Sequence, residues 1–275
     1  MKNEVYHNIF IFNSQLMEKD LIDSISYSDG IVVYEVIRVI DGIPLFLEDH
    51  LMRLHYSANL AGFNIGINDS EINNSIKQLS VENQTYNGTV KLLFQYKGNQ
   101  KVSFLCFFIE HNYPSDLQYK NGVKVLLHAA ERINPNAKLI NNELHQSTED
   151  IIAREMVYEV LLVNKTDRIT EGSKSNVFFI RDNKLFTAPK KLVLPGITRK
   201  FVMKIAHLSG FEVIEECVIK KDIEKYDAVF LSGTSPKILP VSSIENFKFS
   251  VEHPLMEKLM KEFDEEIENY IYRFS

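Results

Sequence analysis

IVVYEVIRVIDGIPLFLEDHLMRLHYSANLAG, residues 31–62, sets the organisation of the first part of the chain. Residues 31–46 hold two β-branched runs around Asp41-Gly42, a dipeptide that accepts the positive φ angles of a two-residue hairpin turn. The β-branched runs then give way to a helical period. Leu47, Leu51, Leu54, Ala58 and Ala61 recur at helical spacing, and Gly62 stands where a left-handed C-terminal cap belongs. Residues 70–80 read as a second helix. Another hairpin follows, with TVKLLFQY and KVSFLCFFIE around Gly98-Asn99. The first part is therefore α+β with antiparallel strands.

Downstream, residues 111–121 (HNYPSDLQYKN) have turn formers and no apolar period, which reads as an interdomain linker. It divides the chain into an N-terminal α+β domain, 1–110, and a C-terminal domain, 122–275. The latter is expected to hold a strand at GVKVLLHAA, a helix near 148–158, strands at 159–163, 176–180 and 184–187, and a helix from about Thr198. Strands FEVIEE and DAVFLS and an acidic amphipathic helix over 254–272 complete it. There is no steady strand-helix alternation, so a doubly wound parallel sheet is the weaker reading.

Composition narrows the function. The 275 residues carry 31 basic against 37 acidic side chains, a formal charge of -6, which argues against a chain built around nucleic-acid phosphates. No run of about 18 apolar residues is present, so no membrane span is expected. MKNEVYHNIFIFNSQ lacks the basic, apolar, small-residue layout of a secretory leader. Cys106 and Cys217 lie in apolar, strand-like contexts without metal-ligand spacing, which implies buried thiols in a reducing cytoplasm and no metal.

Four segments could carry chemistry, and each has a plain alternative. In EDHLMRLHYSANLAG, Arg53 lies on a flank shared with His50 and Ser57, where an arginine snorkelling along a helix is the simpler reading. LVLPGITRK, residues 192–200, delivers a Pro-Gly turn into a helix whose first amides belong to Gly196, Ile197 and Thr198, and such starts bind anions. In VFLSGTSPK, a buried strand ends in small residues, Ser232, Gly233, Thr234 and Ser235, that suit a phosphate or simply a tight turn. In ITEGSKSNVFFI, Glu171 stands at a glycine turn followed by Ser173, Ser175 and Asn176. Taken together, one arginine, two amide-rich turns and one carboxylate suit a phosphorylated cofactor with a basic ring nitrogen. Such a cofactor makes a nucleophilic lysine the next residue to seek.

YEVIRVIDGIPLFLEDHLMRLHYSA, ITEGSKSNVFFI, LPGITR and FLSGTSPKILPV, in this order and at these separations, resemble the class IV aminotransferases. These are the fold-type IV pyridoxal phosphate enzymes, which include branched-chain aminotransferase, D-amino-acid aminotransferase and aminodeoxychorismate lyase. The likeness runs from about residue 28 to about 245. It implies a two-domain α+β fold, with a smaller N-terminal α/β sandwich and a larger C-terminal pseudo-barrel, working as a homodimer.

The resemblance also implies roles. Arg53, three residues after His50, would hold the phosphate of pyridoxal 5′-phosphate, with Ile197, Thr198, Gly233 and Thr234 completing the cup and Gly196 opening the helix. Leu194 would pack on the ring, Glu171 would bond its nitrogen, and Ser175 and Asn176 of the same turn would also bind the cofactor. The Schiff-base lysine would be Lys138, 171 − 138 = 33 residues before Glu171, with Asn141 three positions on. Lys165, Lys174, Lys190 and Lys191 remain alternatives on composition but lack this spacing. The implied reaction moves an amino group between an amino acid and a 2-oxo acid, and the alternative is a lyase that releases pyruvate.

Departures from the pattern concern the substrate side. TVKLLFQYKG has no arginine-x-histidine pair of the kind that reads the carboxylate in D-amino-acid aminotransferases, whereas Tyr34 and Arg38 do match substrate-side positions. Glu143 replaces a tyrosine usual in branched-chain enzymes, and Val36 replaces a threonine usual in the lyases. Ser235 completes the candidate substrate contacts. His128 and His145 read as structural histidines.

Overall fold

The computed structural model describes every residue except 1–3, 26, 28, 99, 100 and 112, so the start of the chain, part of the linker and half of the Gly98-Asn99 turn lie outside the described residues. Two compact units emerge. One is Met1–Asn112 with Ala137–Ile140 and Ile267–Ser275; the other is Tyr113–Asn136 with Asn141–Glu266.

The first unit runs β1 (Ile9–Phe12), β2 (Gln15–Glu18), β3 (Ile31–Ile40), β4 (Ile43–Pro44), α1 (Leu47–Leu60), α2 (Asp69–Glu82), β5 (Gly88–Tyr96) and β6 (Ser103–Ile109). Its described strands make one antiparallel sheet, ordered β2-β1-β6-β5-β3-β4. β3 turns into β4 through Asp41 (φ 52) and Gly42 (φ 77), the positive-φ pair that the dipeptide anticipates. Periodicity leaves β1 and β2 unmarked; they turn at Asn13 (φ 47) and Ser14 (φ 64) without a glycine. Along β3, Val33, Glu35, Ile37 and Val39 are buried on one face. The apolar members meet Leu47, Leu51, Leu54 and Ala58 of α1 and Ile72, Ile76 and Leu79 of α2. The opposite face packs Val32 and Leu93 with Leu105, Phe107 and Phe10.

Ala137–Ile140 belongs to this unit for a physical reason: it runs beside β3. The Tyr34 N–H donates to Lys138 O at 3.1 Å, the Ile140 N–H to Val32 O at 3.0 Å, and Val33 bridges Leu139 antiparallel. Reading the chain in order assigns Lys138 to the C-terminal domain; strand pairing groups it with the N-terminal one.

The second unit contains α3 (Asp116–Asn121), β7 (Val123–Ala129), α4 (Asn142–Glu155), β8 (Glu159–Val163), β9 (Ile169–Gly172), β10 (Asn176–Arg181) and β11 (Lys184–Thr187). It continues with α5 (Ile197–Leu208), β12 (Val213–Glu215), β13 (Ala228–Gly233), β14 (Lys237–Ile244), β15 (Phe247–Lys248) and α6 (Pro254–Phe274), whose last residues belong to the first unit. Part of the stretch read as a linker is thus the helix α3, capped by Ser115 and Gln118 in a reciprocal pair. α4 starts earlier than 148 because the Asn141 side chain accepts the Leu144 N–H.

The strands order as β12-β11-β10-β13-β14-β7-β8-β9, with β15 beside β14. Pairing is mixed: β14 with β7, β7 with β8, and β11 with β12 run parallel. Val125, Leu161, Val163, Ile169, Val177, Phe179, Val229, Leu231, Leu239 and Val241 form one cluster. Residues from one face of a sheet can meet like this only if the sheet curls on itself, which is the half-barrel that the family likeness implies. Phe178 and Phe230 stack outside that cluster, ring centroids 5.0 Å apart. Burying such a side chain contributes about 2–3 kcal/mol. Cys106 and Cys217 are buried free thiols. Among the described residues no helix is long and apolar enough to cross a membrane.

Candidate active site

In the first unit, β3 and α1 carry several of the predicted residues. Arg53 is only 8% exposed, so it does not snorkel. Its Nε donates to Glu35 Oε1 at 2.7 Å and its Nη2 to Glu35 Oε2 at 2.6 Å, a two-pronged pair that fixes the guanidinium plane. Glu35 is fully buried and also accepts from His50 Nδ1 at 2.8 Å. Burial alone pushes the Glu35 carboxyl up; the charge and hydrogen bonds of Arg53, with those of His50, outweigh it and hold the group below the usual carboxylate range. One turn along α1, Ser57 donates to Arg53 O at 2.8 Å and accepts the Lys138 N–H at 3.0 Å. Lys138 is thereby tied to the helix that carries Arg53, and its Nζ stands 4.5 Å from the centre of the Tyr34 ring. Arg38 lies on the same face of β3 as Tyr34, four residues further along.

His50 is titratable and buried. Burial lowers its pKa, the Glu35 hydrogen bond and charge oppose this, and Arg53 and Lys138 lower it further; the net direction is down from 6.5. A depressed base is neutral in the folded protein, so below pH 6.5 the unfolded chain binds a proton that folded His50 refuses. Stability is expected to fall over that range by up to about 1.4 kcal/mol per pH unit. Thermal melts from about pH 7.5 down to 5.5 check this. The wild type should lose stability that His50→Gln retains, and parallel curves would refute the assignment.

The second unit assembles the remaining predicted residues. Glu171, 2% exposed, ends β9 beside Gly172. Its Oε1 accepts from Arg132 Nε at 3.0 Å and its Oε2 from the Leu194 N–H at 3.0 Å. Asn176 Nδ2 donates to Leu194 O at 2.9 Å, and a Cβ at Gly196 would collide with Asn176 Oδ1. Glycine is therefore required at Gly196 by close approach, not by a positive φ. Asn176 pairs with Ser232 across β10 and β13, and a Cβ at Gly233 would lie 3.7 Å from Ser175 Cβ. The three segments ITEGSKSN, LPGIT and LSGTS thus converge within this unit. Ile197 and Thr198, both buried, open α5. Thr234 and Ser235 are half-buried in the turn from β13 to β14.

A second buried carboxylate shapes the turn. Glu159 accepts the N–H groups of Lys174 at 2.6 Å and Ser175 at 3.0 Å, and the Ser175 hydroxyl at 2.9 Å. Burial raises its pKa, with those hydrogen bonds opposing. Glu35, Arg132 and Glu159 are absent from the residues singled out by spacing. Glu35 had a signal, a charge set within a strongly apolar strand. Arg132 and Glu159 had none, because their partners lie 39 and 16 residues away.

The donor set suits a ring phosphate with an aldehyde. The first unit by itself offers a guanidinium and a lysine; the second by itself offers amides at a helix start, where an added Cβ would clash, and a carboxylate. The buried Ser232 hydroxyl makes no hydrogen bond within the described protein, which leaves a donor at the SGT turn.

The structure defines a mixed α/β fold with a curled second sheet. The amino-transferase class IV family model matches residues 32–244, and the chain belongs to that family. It is 28% identical over 250 residues to the D-alanine aminotransferase of Bacillus licheniformis, spanning 86% of this chain and 88% of that protein. The Escherichia coli branched-chain amino acid aminotransferase structure superposes with a TM-score of 0.84 at 22% identity, covering 95% of each chain. The branched-chain amino acid aminotransferase of Thermobaculum terrenum, solved in its PLP-form, gives 0.81 at 22% identity, over 100% of this chain and 97% of that one. Fold and family are those that the four motifs imply, and the enzyme class is a class IV transaminase.

Proposed function

We propose that this enzyme moves an amino group between an amino acid and a 2-oxo acid using pyridoxal 5′-phosphate and Lys138. The observation that carries the reading is the placement of Lys138, bonded through Ser57 to the Arg53 helix and held over the Tyr34 ring. The bound cofactor supplies an aldehyde and an electron-accepting ring. Arg53, with the amides of Ile197 and Thr198 and the Gly233-Thr234 turn, binds the phosphate. Leu194 packs on the ring, and Gly196 lets the chain approach closely. Glu171 keeps the ring nitrogen protonated, with Arg132 stabilising its anionic form; Ser175 and Asn176 hold the turn. Lys138 Nζ takes the proton from the substrate Cα in the first half-reaction and returns one to the acceptor Cα in the second. Tyr34, Arg38 and Ser235 face the substrate. A homodimer in the cytoplasm is the proposed setting, supported by the family likeness and the two buried free thiols.

A panel of L- and D-amino acids with pyruvate or 2-oxoglutarate tests the reading. Amino transfer that depends strictly on an oxo-acid acceptor supports it. Pyruvate release without acceptor consumption selects the lyase instead.

A further inference from the structure

If Arg53 anchors the phosphate, something must aim it, because an arginine side chain has several rotatable bonds and a planar head. We propose that Glu35 is a positioning residue for that anchor, clamping the Nε/Nη2 edge of the Arg53 guanidinium so that the site selects a phosphorylated ring over its unphosphorylated counterpart. The proposal rests on the cofactor reading above.

Three observations carry it. Glu35 occupies a core position of β3 between Val33 and Ile37, where an apolar residue would pack as well and avoid the desolvation of a charge. Both of its oxygens are committed to Arg53, at 2.7 and 2.6 Å, which fixes the plane and therefore the direction of the remaining guanidinium N–H bonds. His50, one turn before Arg53 on α1, holds the Glu35 oxygen that Nη2 also touches, so the clamp is itself braced.

Two effects of Glu35 on a phosphate oppose each other. Its negative charge repels the anion; its grip on Arg53 removes the cost of ordering the fork when the anion arrives. The sign of the change on Glu35→Gln shows which dominates. Alignment is expected to win, because the clamped geometry is two-pronged and buried.

The test compares binding of pyridoxal 5′-phosphate and pyridoxal to protein stripped of any bound cofactor. Glu35→Gln is expected to weaken the phosphorylated ligand by about 10- to 100-fold while leaving pyridoxal within a factor of about two. An unchanged or increased phosphate preference, or an equal loss for both ligands, overturns the proposal. Should wild-type protein show no preference for the phosphorylated form, the cofactor reading itself fails. A preference kept by Glu35→Gln removes only the role of Glu35. A measurement on wild-type protein stands independently of how the variant folds. The Arg53 Nε–H resonance, identified by its loss in Arg53→Lys, should be exchange-protected before ligand is added and stay so afterwards. Protection that appears only with pyridoxal 5′-phosphate overturns the clamp.

Discussion

Lys138→Ala is expected to reduce amino transfer by about 10⁴-fold or more, because the same amine serves as nucleophile and as the group that moves the Cα proton. The loss should come with little change in stability. What anchors this segment is backbone: the Lys138 N–H on Ser57, its carbonyl on the Tyr34 N–H, and the Ile140 N–H on Val32 O. Alanine keeps all three, so the melting temperature should stay close to that of the wild type while turnover collapses. Borohydride treatment of the wild type should leave a cofactor adduct on the peptide containing Lys138. An undiminished adduct in Lys138→Ala would refute the assignment and return attention to Lys165, Lys174, Lys190 and Lys191. Partial rescue by a small primary amine would separate the chemical role from a packing role.

Glu35→Ala is expected to destabilise the protein by about 3–5 kcal/mol, the usual cost of leaving one member of a buried ion pair without its partner. Arg53 would keep its charge in a position 8% exposed and lose both prongs of its contact. Denaturant titration reads the change, and a double-mutant cycle with Arg53→Met isolates the coupling. The double variant should be more stable than Glu35→Ala alone, since it removes the buried charge that Glu35 had balanced. The pair also predicts an acid limb. The folded Glu35 carboxyl lies below its ordinary value of 4.5, so its ionised form stabilises the fold at every pH above 4.5. That contribution drains away as the pH falls from 4.5 toward the lower folded value. Wild-type protein should therefore lose stability in that acid window more steeply than Glu35→Gln. A destabilisation below about 1 kcal/mol in Glu35→Ala would place Arg53 in contact with water and refute the buried pair.

How much of this was legible in the sequence depends on the distance over which each signal acts. The hairpin at Asp41-Gly42 and the helix after it are local, set by turn chemistry and by the switch from β-branched runs to helical spacing, and both are present as read. The start of α5 at Ile197 was equally visible, through Pro195-Gly196. The β1–β2 hairpin escaped because Asn13 and Ser14 make the turn without a glycine. α3 escaped because a short capped helix in a polar stretch has no apolar period to display.

Order and spacing of four motifs were enough to determine the family, since each motif is a contiguous string that can be read without the fold. Tertiary structure alone decided the surroundings of the reactive groups. It drew residues 137–140 to β3, and it turned Arg53 from a surface arginine into half of a buried pair with Glu35. It also set Arg132 and the Leu194 amide on the two oxygens of Glu171. The physical reason is that a charge can be buried only against a partner, and the partner is chosen by strand pairing and helix packing across many residues. Residues 31–62 contain both Glu35 and Arg53, yet only folding β3 beneath α1 shows that one holds the other.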